Sequence, residues 1–402
     1  MISMENKRFK TIDIFRGFAI FYMIGGHLMD WWIQPDGRWF WYLIVFLFSW
    51  IGAAGFLFIS GISGIISYRK GIIMAEKLDN YTVQMVKNNF IFRAFLIILI
   101  ALIFNTCIAI ALMNPLYIWT WFVLLTIGVS LLLVVPLLNT SKITRICVSG
   151  AVWIVNSLLF SFLTVYDGQP NFFGFLYHVF YHSPDQDVIL GFFPFLLYGT
   201  VVGDILLEIS NTENPIERKR ELKNKLFIPL LAIGSILIIF GMWFWHPNYD
   251  VKVLIHPTNF FWAISSCGVQ LVLFSTGIYL EEKIKFEKSY RFLFYFSYYS
   301  LTIYLAHYLT YFIPLHQRLN LITFWFFFIP IYVIMGLILR MLYKRYKGRV
   351  ALKTLIGVIS MILTLMVEKK KRKSSPKSIK TLKKIYFGNI FKTKIKRIKS
   401  NS

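Results

Sequence analysis

Stretches of about twenty apolar residues recur along almost the whole chain, and this recurrence limits what it can fold into. They run at 12–32, 39–68, 91–113, 116–138, 143–165, 188–207, 226–245, 260–280, 292–313 and 321–343. An α-helix rises 1.5 Å per residue, so roughly twenty residues cross a hydrocarbon core of about 30 Å. No period-2 alternation runs through these segments, which argues against a β-barrel. The chain therefore reads as an all-α polytopic membrane protein with about ten transmembrane helices. A further apolar run, 354–367, has 14 residues. That length leaves it open between an eleventh, short span and a helix lying in the membrane interface. Composition agrees: 57% of the 402 residues are hydrophobic and 15% are charged. A soluble fold of this length lacks the polar surface to cover so much apolar area.

The net charge of +24 has to be located before it is interpreted. The loops that follow alternate spans, together with the N-terminus, carry 24 Lys and Arg; the opposite loops carry only Arg38, Lys252 and Arg318. Basic loops stay in the cytoplasm. The asymmetry places the N-terminus and the 69–90, 208–225 and 281–291 loops there, in a multi-pass protein of the cell membrane. The organisation expected is a cytoplasmic N-terminus at 1–10, a transmembrane domain at 11–345, the short apolar stretch within 346–367 and a basic tail at 368–402. The tail holds 14 Lys and Arg and one acid, Glu368. An eleventh crossing would put that charge outside, which favours the interfacial reading of 354–367. The tail suits anionic lipid headgroups; nucleic acid is the weaker alternative. Oligomeric state is not legible.

The three cysteines, Cys107, Cys147 and Cys267, show no CxxC spacing and suggest neither a disulfide framework nor a zinc site. Asp13 and Arg16 interrupt the first apolar run, so it is not read as a cleavable signal. All seven histidines fall on the side opposite the basic loops. His178, His182, His246, His256 and His316 sit in loops, where His246, Asp250 and His256 give no spacing for a metal and none is expected. His27 and His307 lie inside spans, where an ionisable group is expensive and usually functional.

The first span is the most informative: Asp13, Arg16, Gly17, Gly25, Gly26, His27 and Asp30 all fall within it. Asp13 and Arg16 are three apart and share a face; so do His27 and Asp30. A carboxylate beside a histidine orients the ring and favours its charged form. Arg16 and His27 are eleven apart, close to three turns, so both point the same way about 16 Å apart along the axis. Three apart in the ninth span, Tyr304 and His307 form a second candidate constellation, placed to hold a substrate or stabilise an oxyanion. Asn105, Asn156 and Gln270 are polar groups within spans, a position that usually supplies interhelical hydrogen bonds; Asn105 is kept as a candidate substrate contact. Asp204 sits near the basic end of its span.

Residues 8–27, Arg-Phe-Lys-Thr-Ile-Asp-Ile-Phe-Arg-Gly-Phe-Ala-Ile-Phe-Tyr-Met-Ile-Gly-Gly-His, resemble the opening of the transmembrane acyltransferases. The resemblance is to the heparan-alpha-glucosaminide N-acetyltransferase catalytic-domain family, and the Arg16–His27 spacing is also similar to the acyltransferase-3 family. Three shorter pieces fit: 55–64, 191–199 and 300–307 resemble the second, middle and late helices of the family. Eukaryotic members carry an important histidine in the first lumenal loop. Residues 33–38 here contain none, so any such role falls to His27.

The resemblance implies acyl transfer across the membrane, with an acyl-CoA, acetyl-CoA foremost, entering from the cytoplasm and a sugar hydroxyl or amine from the outer side. CoA is a polyanion, and arginine forks bind phosphate in bidentate fashion. Arg16 with Asp13 would begin the donor channel, with Lys87 and Arg93 at its mouth. His27 would act as general base or carry the acyl group, and Asp30 would orient it. His307 would assist catalysis, and Tyr304 and Asn105 would contact the acceptor. The competing class is a transporter or flippase of a glycan or lipid-linked substrate, for which discontinuous helices and paired halves are expected; no half-to-half correspondence is visible in the sequence.

Overall fold

The computed structural model describes residues 9–78, 81–182, 186–244, 259–283 and 291–372. Among these the architecture is all-α, and the one extended pairing is an isolated parallel bridge between Ile33 and Leu319. Nine helical stretches among them are long and apolar enough to cross a membrane. The chain is thus a polytopic helical membrane protein.

The first half comprises α1 (Lys10–Trp32), α2 (Arg38–Phe48), α3 (Ala53–Lys77), α4 (Val83–Ala111), α5 (Val123–Leu133), α6 (Lys142–Leu163) and α7 (Phe172–Tyr181). Then follow α8 (Ile189–Ser210), α9 (Pro215–Glu221), α10 (Ile228–Phe244), α11 (Phe260–Lys283), α12 (Arg291–Tyr298), α13 (Ser300–Ala306), α14 (Leu321–Tyr346) and α15 (Leu352–Arg372). Short polar residues set several starts. Thr82, Ser141 and Asn320 each accept a backbone N–H three residues on, at 3.3, 3.0 and 2.9 Å, satisfying donors that a helix N-terminus leaves open.

The centre of the bundle is α8 against α3. A Cβ on Gly61 would collide with the carbonyl of Leu196, and one on Gly199 with that of Phe58. Lipid tails supply no hydrophobic drive between helices, so close backbone approach through small residues does the work. Both glycines lie in the segments, 55–64 and 191–199, that resemble family helices. Nearby, Asp204 takes two arginines: Arg145 Nη2 at 2.5 Å and Arg69 Nε at 3.1 Å. Arg145 is 1% exposed and also donates to Thr200 Oγ1 at 2.9 Å. Asn156 and Gln270 are interhelical partners, the first to Tyr181 and the second to the Trp50 carbonyl.

Three of the expected spans are not single helices. The 39–68 run breaks between α2 and α3 at residues 49–52. The 116–138 run opens with a 3-10 turn, Pro115–Trp119, passes through extended backbone at Thr120 and Phe122, and becomes helical only at α5. A break inside a membrane is tolerated only where the freed backbone groups find partners. Here Asn105 Nδ2 donates to the carbonyls of Thr120 and Ile118, at 2.8 and 3.2 Å. The 292–313 run divides into α12, α13 and a 3-10 segment, His307–Phe312, with the break at Tyr299.

The 354–367 stretch lies within α15, which packs along α4. Gly357 lies beside Arg93, and Ser360 donates to Asn89 Oδ1 at 2.7 Å. The helix therefore advances toward the N-terminal end of α4. The loop bearing His246, Asp250 and His256, and the basic tail beyond Arg372, lie outside the described residues.

Candidate active site

Gly17 lets α12 approach α1 closely, since a Cβ there would strike the Leu293 carbonyl. Ser297 Oγ donates to Asp13 Oδ1 at 3.1 Å. On α14, Tyr332 donates to the carbonyl of Phe21 at 2.6 Å. With α1 clamped on both flanks, the turn after α13 brings His307 to His27, Nε2 to Nδ1 at 3.4 Å. Their rings meet edge to face, centroids 5.1 Å apart, and Trp31 stacks on His307.

The tautomers follow from the partners. His307 Nδ1 lies 2.5 Å from the carbonyl of Tyr304, which can only accept, so Nδ1 carries the proton. Nε2 of the neutral His307 ring is then an acceptor. His27 must donate to it from Nδ1, which leaves the lone pair on His27 Nε2. A histidine held in this way is set up as a proton acceptor.

His27 lines a cavity of about 450 Å³. Its walls are aromatic: Trp31, Trp41, Trp262, Tyr117, Tyr304 and Tyr308 are among them. The charged side chains in those walls are two carboxylates, Asp30 and Asp187, and among the described residues no Lys or Arg joins them. Asp187 sits just before α8. Its N–H donates to the Trp121 carbonyl at 2.9 Å, its carbonyl accepts from Thr126 Oγ1, and its carboxylate lies near the N–H of Val123, the first residue of α5. Burial pushes this carboxyl up to about 7, against the downward pull of the Val123 N–H.

A second cavity, about 500 Å³, adjoins the first and shares Met23, Gly52, Ala53, Val123 and Tyr304 with it. A third, about 470 Å³, shares Arg16, Ser63, Phe90, Arg93 and Lys353 with the second. The charge is inverted here: Arg16, Arg93 and Lys353 line both, and Lys70 joins them in the third beside Asp13. Arg16 Nη2 donates to Ser63 Oγ at 2.5 Å, and that hydroxyl bonds back to the Ile59 carbonyl at 2.8 Å. The three cavities form a series from a basic end at Asp13, Lys70 and Tyr81 to an acidic, aromatic end at His27, with Tyr304 in the wall between.

The structure thus brings together Asp13, Arg16 and Arg93 at one end and His27, His307, Tyr304 and Asp30 at the other. Asp30 does not turn to His27. The 3-10 turn Pro35–Gly37 folds the chain back after α1, and the carboxylate lies 4.0 Å from Arg38 Nη2; His307 holds the His27 ring instead. Lys87 is exposed on α4 and apart from these walls, and Lys353, from α15, stands where Lys87 was expected. Asn105 lines none of these three cavities, and its Nδ2 donates to the carbonyls of the broken α5 segment. Asp187 and Lys353 escaped sequence reasoning. Asp187 lies between two apolar runs with no spacing signal, and Lys353 lies in a stretch whose position relative to the bundle no local pattern reveals.

No curated protein matches the sequence. A family model described as heparan-alpha-glucosaminide N-acetyltransferase, catalytic, matches residues 8–247, well over half of the chain. The match spans α1, whose Arg16 and His27 stand at the two ends of the cavity series, and α5 and α8, which frame the His27 cavity. The chain belongs to the heparan-alpha-glucosaminide N-acetyltransferase catalytic family, and it is a membrane acetyltransferase of that general kind.

Proposed function

We propose that the protein moves an acetyl group from acetyl-CoA, or another acyl-CoA, bound at the basic end of the cavity series to a sugar amine or hydroxyl bound in the His27 cavity. The observation that carries this reading is the charge inversion between adjoining cavities. The phosphates of CoA suit Arg16, Arg93 and Lys353. The aromatic walls around His27 suit the flat faces of a pyranose, with carboxylates for its polar hydrogens. The thioester, at the end of the long pantetheine arm, would pass Met23 and Tyr304 to reach His27. His27 Nε2 takes the acceptor's proton as general base, or takes the acetyl group and passes it on. The Tyr304 hydroxyl stands near the developing oxyanion. His307 and the Tyr304 carbonyl fix the His27 tautomer.

The basic end faces the cytoplasm on this reading, as the positive-inside asymmetry favours, with the N-terminus and the 368–402 tail on that side and anionic lipids beneath the tail. The acceptor enters from the opposite side. No metal takes part. The broken helices at α5 and α12–α13 are also what a transporter uses at a midplane site. Purified protein in liposomes, given acetyl-CoA with and without amino sugars, tests the choice. Acceptor-dependent CoA release supports the transferase; movement of a glycan with no dependence on acetyl-CoA supports the transporter.

A further inference from the structure

Acylating an amine requires the removal of two protons. An amine at neutral pH is largely ammonium, which has no lone pair. It must lose one proton to become a nucleophile and a second as the tetrahedral intermediate collapses to the amide. His27 with its single available Nε2 lone pair accounts for one. The reading proposed above leaves the other without a base.

The His27 cavity contains a second group of the right kind. Asp187 lines it with His27 and is anchored through its backbone on both sides, to Trp121 and to Thr126. Its carboxylate sits at the N-terminus of α5, beside the Val123 N–H. Tyr304 and Tyr308 face it from the α13 side. His27 and Asp30 share the cavity from α1, and Tyr117 from the preceding turn. Asp30, half-exposed and beside Arg38, is already balanced. Asp187 has no cationic partner among the described residues, and it faces the cavity that would receive the acceptor.

We propose that Asp187 receives the acceptor as its ammonium form and takes the first proton, with His27 taking the second. The proposal rests on the acyl-transfer reading and specifies the acceptor end of it. In the first step, R–NH₃⁺ and the Asp187 carboxylate become R–NH₂ and the carboxylic acid. The amine nitrogen then attacks the thioester carbonyl, and the C–S bond breaks to release CoA thiolate. His27 Nε2 removes the second proton from nitrogen and returns it to the thiolate. Asp187 loses its proton to solvent through the open mouth of the cavity. Ammonium and acetyl-CoA give amide, CoA thiol and one proton, and no further reactant is needed. A carboxyl held at about 7 is matched to this exchange, because proton transfer is most effective when the base titrates near the working pH.

The test uses the full-length protein in liposomes, acetyl-CoA as donor and glucosamine as the amine probe, with kcat and KM for glucosamine measured between pH 6 and 9. Asp187→Asn is nearly isosteric and leaves the backbone bonds to Trp121 and Thr126 in place, so the start of α5 is preserved. Its kcat/KM for glucosamine should fall at least thirtyfold at pH 6.5 and recover toward wild type near pH 9, where the probe arrives as free amine. Acetyl-CoA affinity should stay within twofold. Asp187→Glu, which keeps the charge, should retain the wild-type profile shape. A deficit that is the same at every pH, or none at pH 6.5, overturns the assignment while leaving acyl transfer intact. Wild type that releases CoA with glucose but not with glucosamine at any pH overturns this assignment alone; no release with either sugar overturns the acyl-transfer reading and this one with it.

Discussion

His27 and His307 stand 280 positions apart in the chain and meet at 3.4 Å, Nδ1 to Nε2. The contact is directional, since the Tyr304 carbonyl fixes the proton on His307 Nδ1. The two rings are therefore not equivalent. His27→Ala should lower acetyl transfer at least 100-fold, the lower range of a general base. His307→Gln, which can still accept from His27 Nδ1, should lose far less than His307→Ala, and the loss should fall on kcat. Membrane assays of CoA release on the three variants check this; equal losses for both His307 variants would mean that the hydrogen bond does not matter.

The donor end separates three basic side chains by position. Arg16→Lys keeps the charge but not the planar fork, and should raise the acetyl-CoA KM with little change in acceptor KM. Lys353→Ala should do the same, because Lys353 shares both basic cavities with Arg16. Lys87→Ala should leave both constants near wild type. Calorimetric titration of acetyl-CoA gives the ranking directly. A larger effect at Lys87 than at Lys353 would move the donor away from these cavities.

How far the sequence could be read follows from which contacts are local. Span positions were legible because twenty apolar residues are needed wherever a helix crosses lipid. The break at α5 was not, since its backbone partner comes from elsewhere: Asn105 for Ile118 and Thr120. Arg16 and His27 were legible because both lie on one helix, and helical geometry fixes their relation. Asp30 met the same spacing rule, yet the turn at Pro35–Gly37 offers it Arg38. The meetings of His27 with His307, and of Asp187 with α5, depend on how separate helices dock, which no single helix encodes.

Asp204 predicts a stability effect with no catalytic component. It is buried and holds Arg145 and Arg69 together. Removing one partner of a buried ion pair leaves an uncompensated charge and costs about 3–5 kcal/mol. Asp204→Asn should therefore lower yield and melting temperature sharply. Adding Arg145→Met should recover part of the loss, because both buried charges are then gone. Thermal unfolding in detergent of the single and double variants decides it: a double variant no better than the single would mean that Arg145 is not left stranded.

The direction of the Asp187 shift predicts how stability depends on pH. Its carboxyl is held at about 7 in the fold against an ordinary value of 3.8. Between those values the folded chain binds a proton at this site that the unfolded chain has released. Stability contributed here is therefore full below about pH 4 and falls as pH rises toward 7, above which both states are ionised and the penalty is constant. Asp187→Asn has no such titration. Other groups titrate alike in both proteins and cancel in the difference. The melting temperature of Asp187→Asn minus that of wild type should thus climb between pH 4.5 and 7 and then level off. A difference that is flat across that interval would show that Asp187 titrates as an ordinary solvated carboxylate. It would also remove the match to neutral pH on which its part in taking the ammonium proton depends.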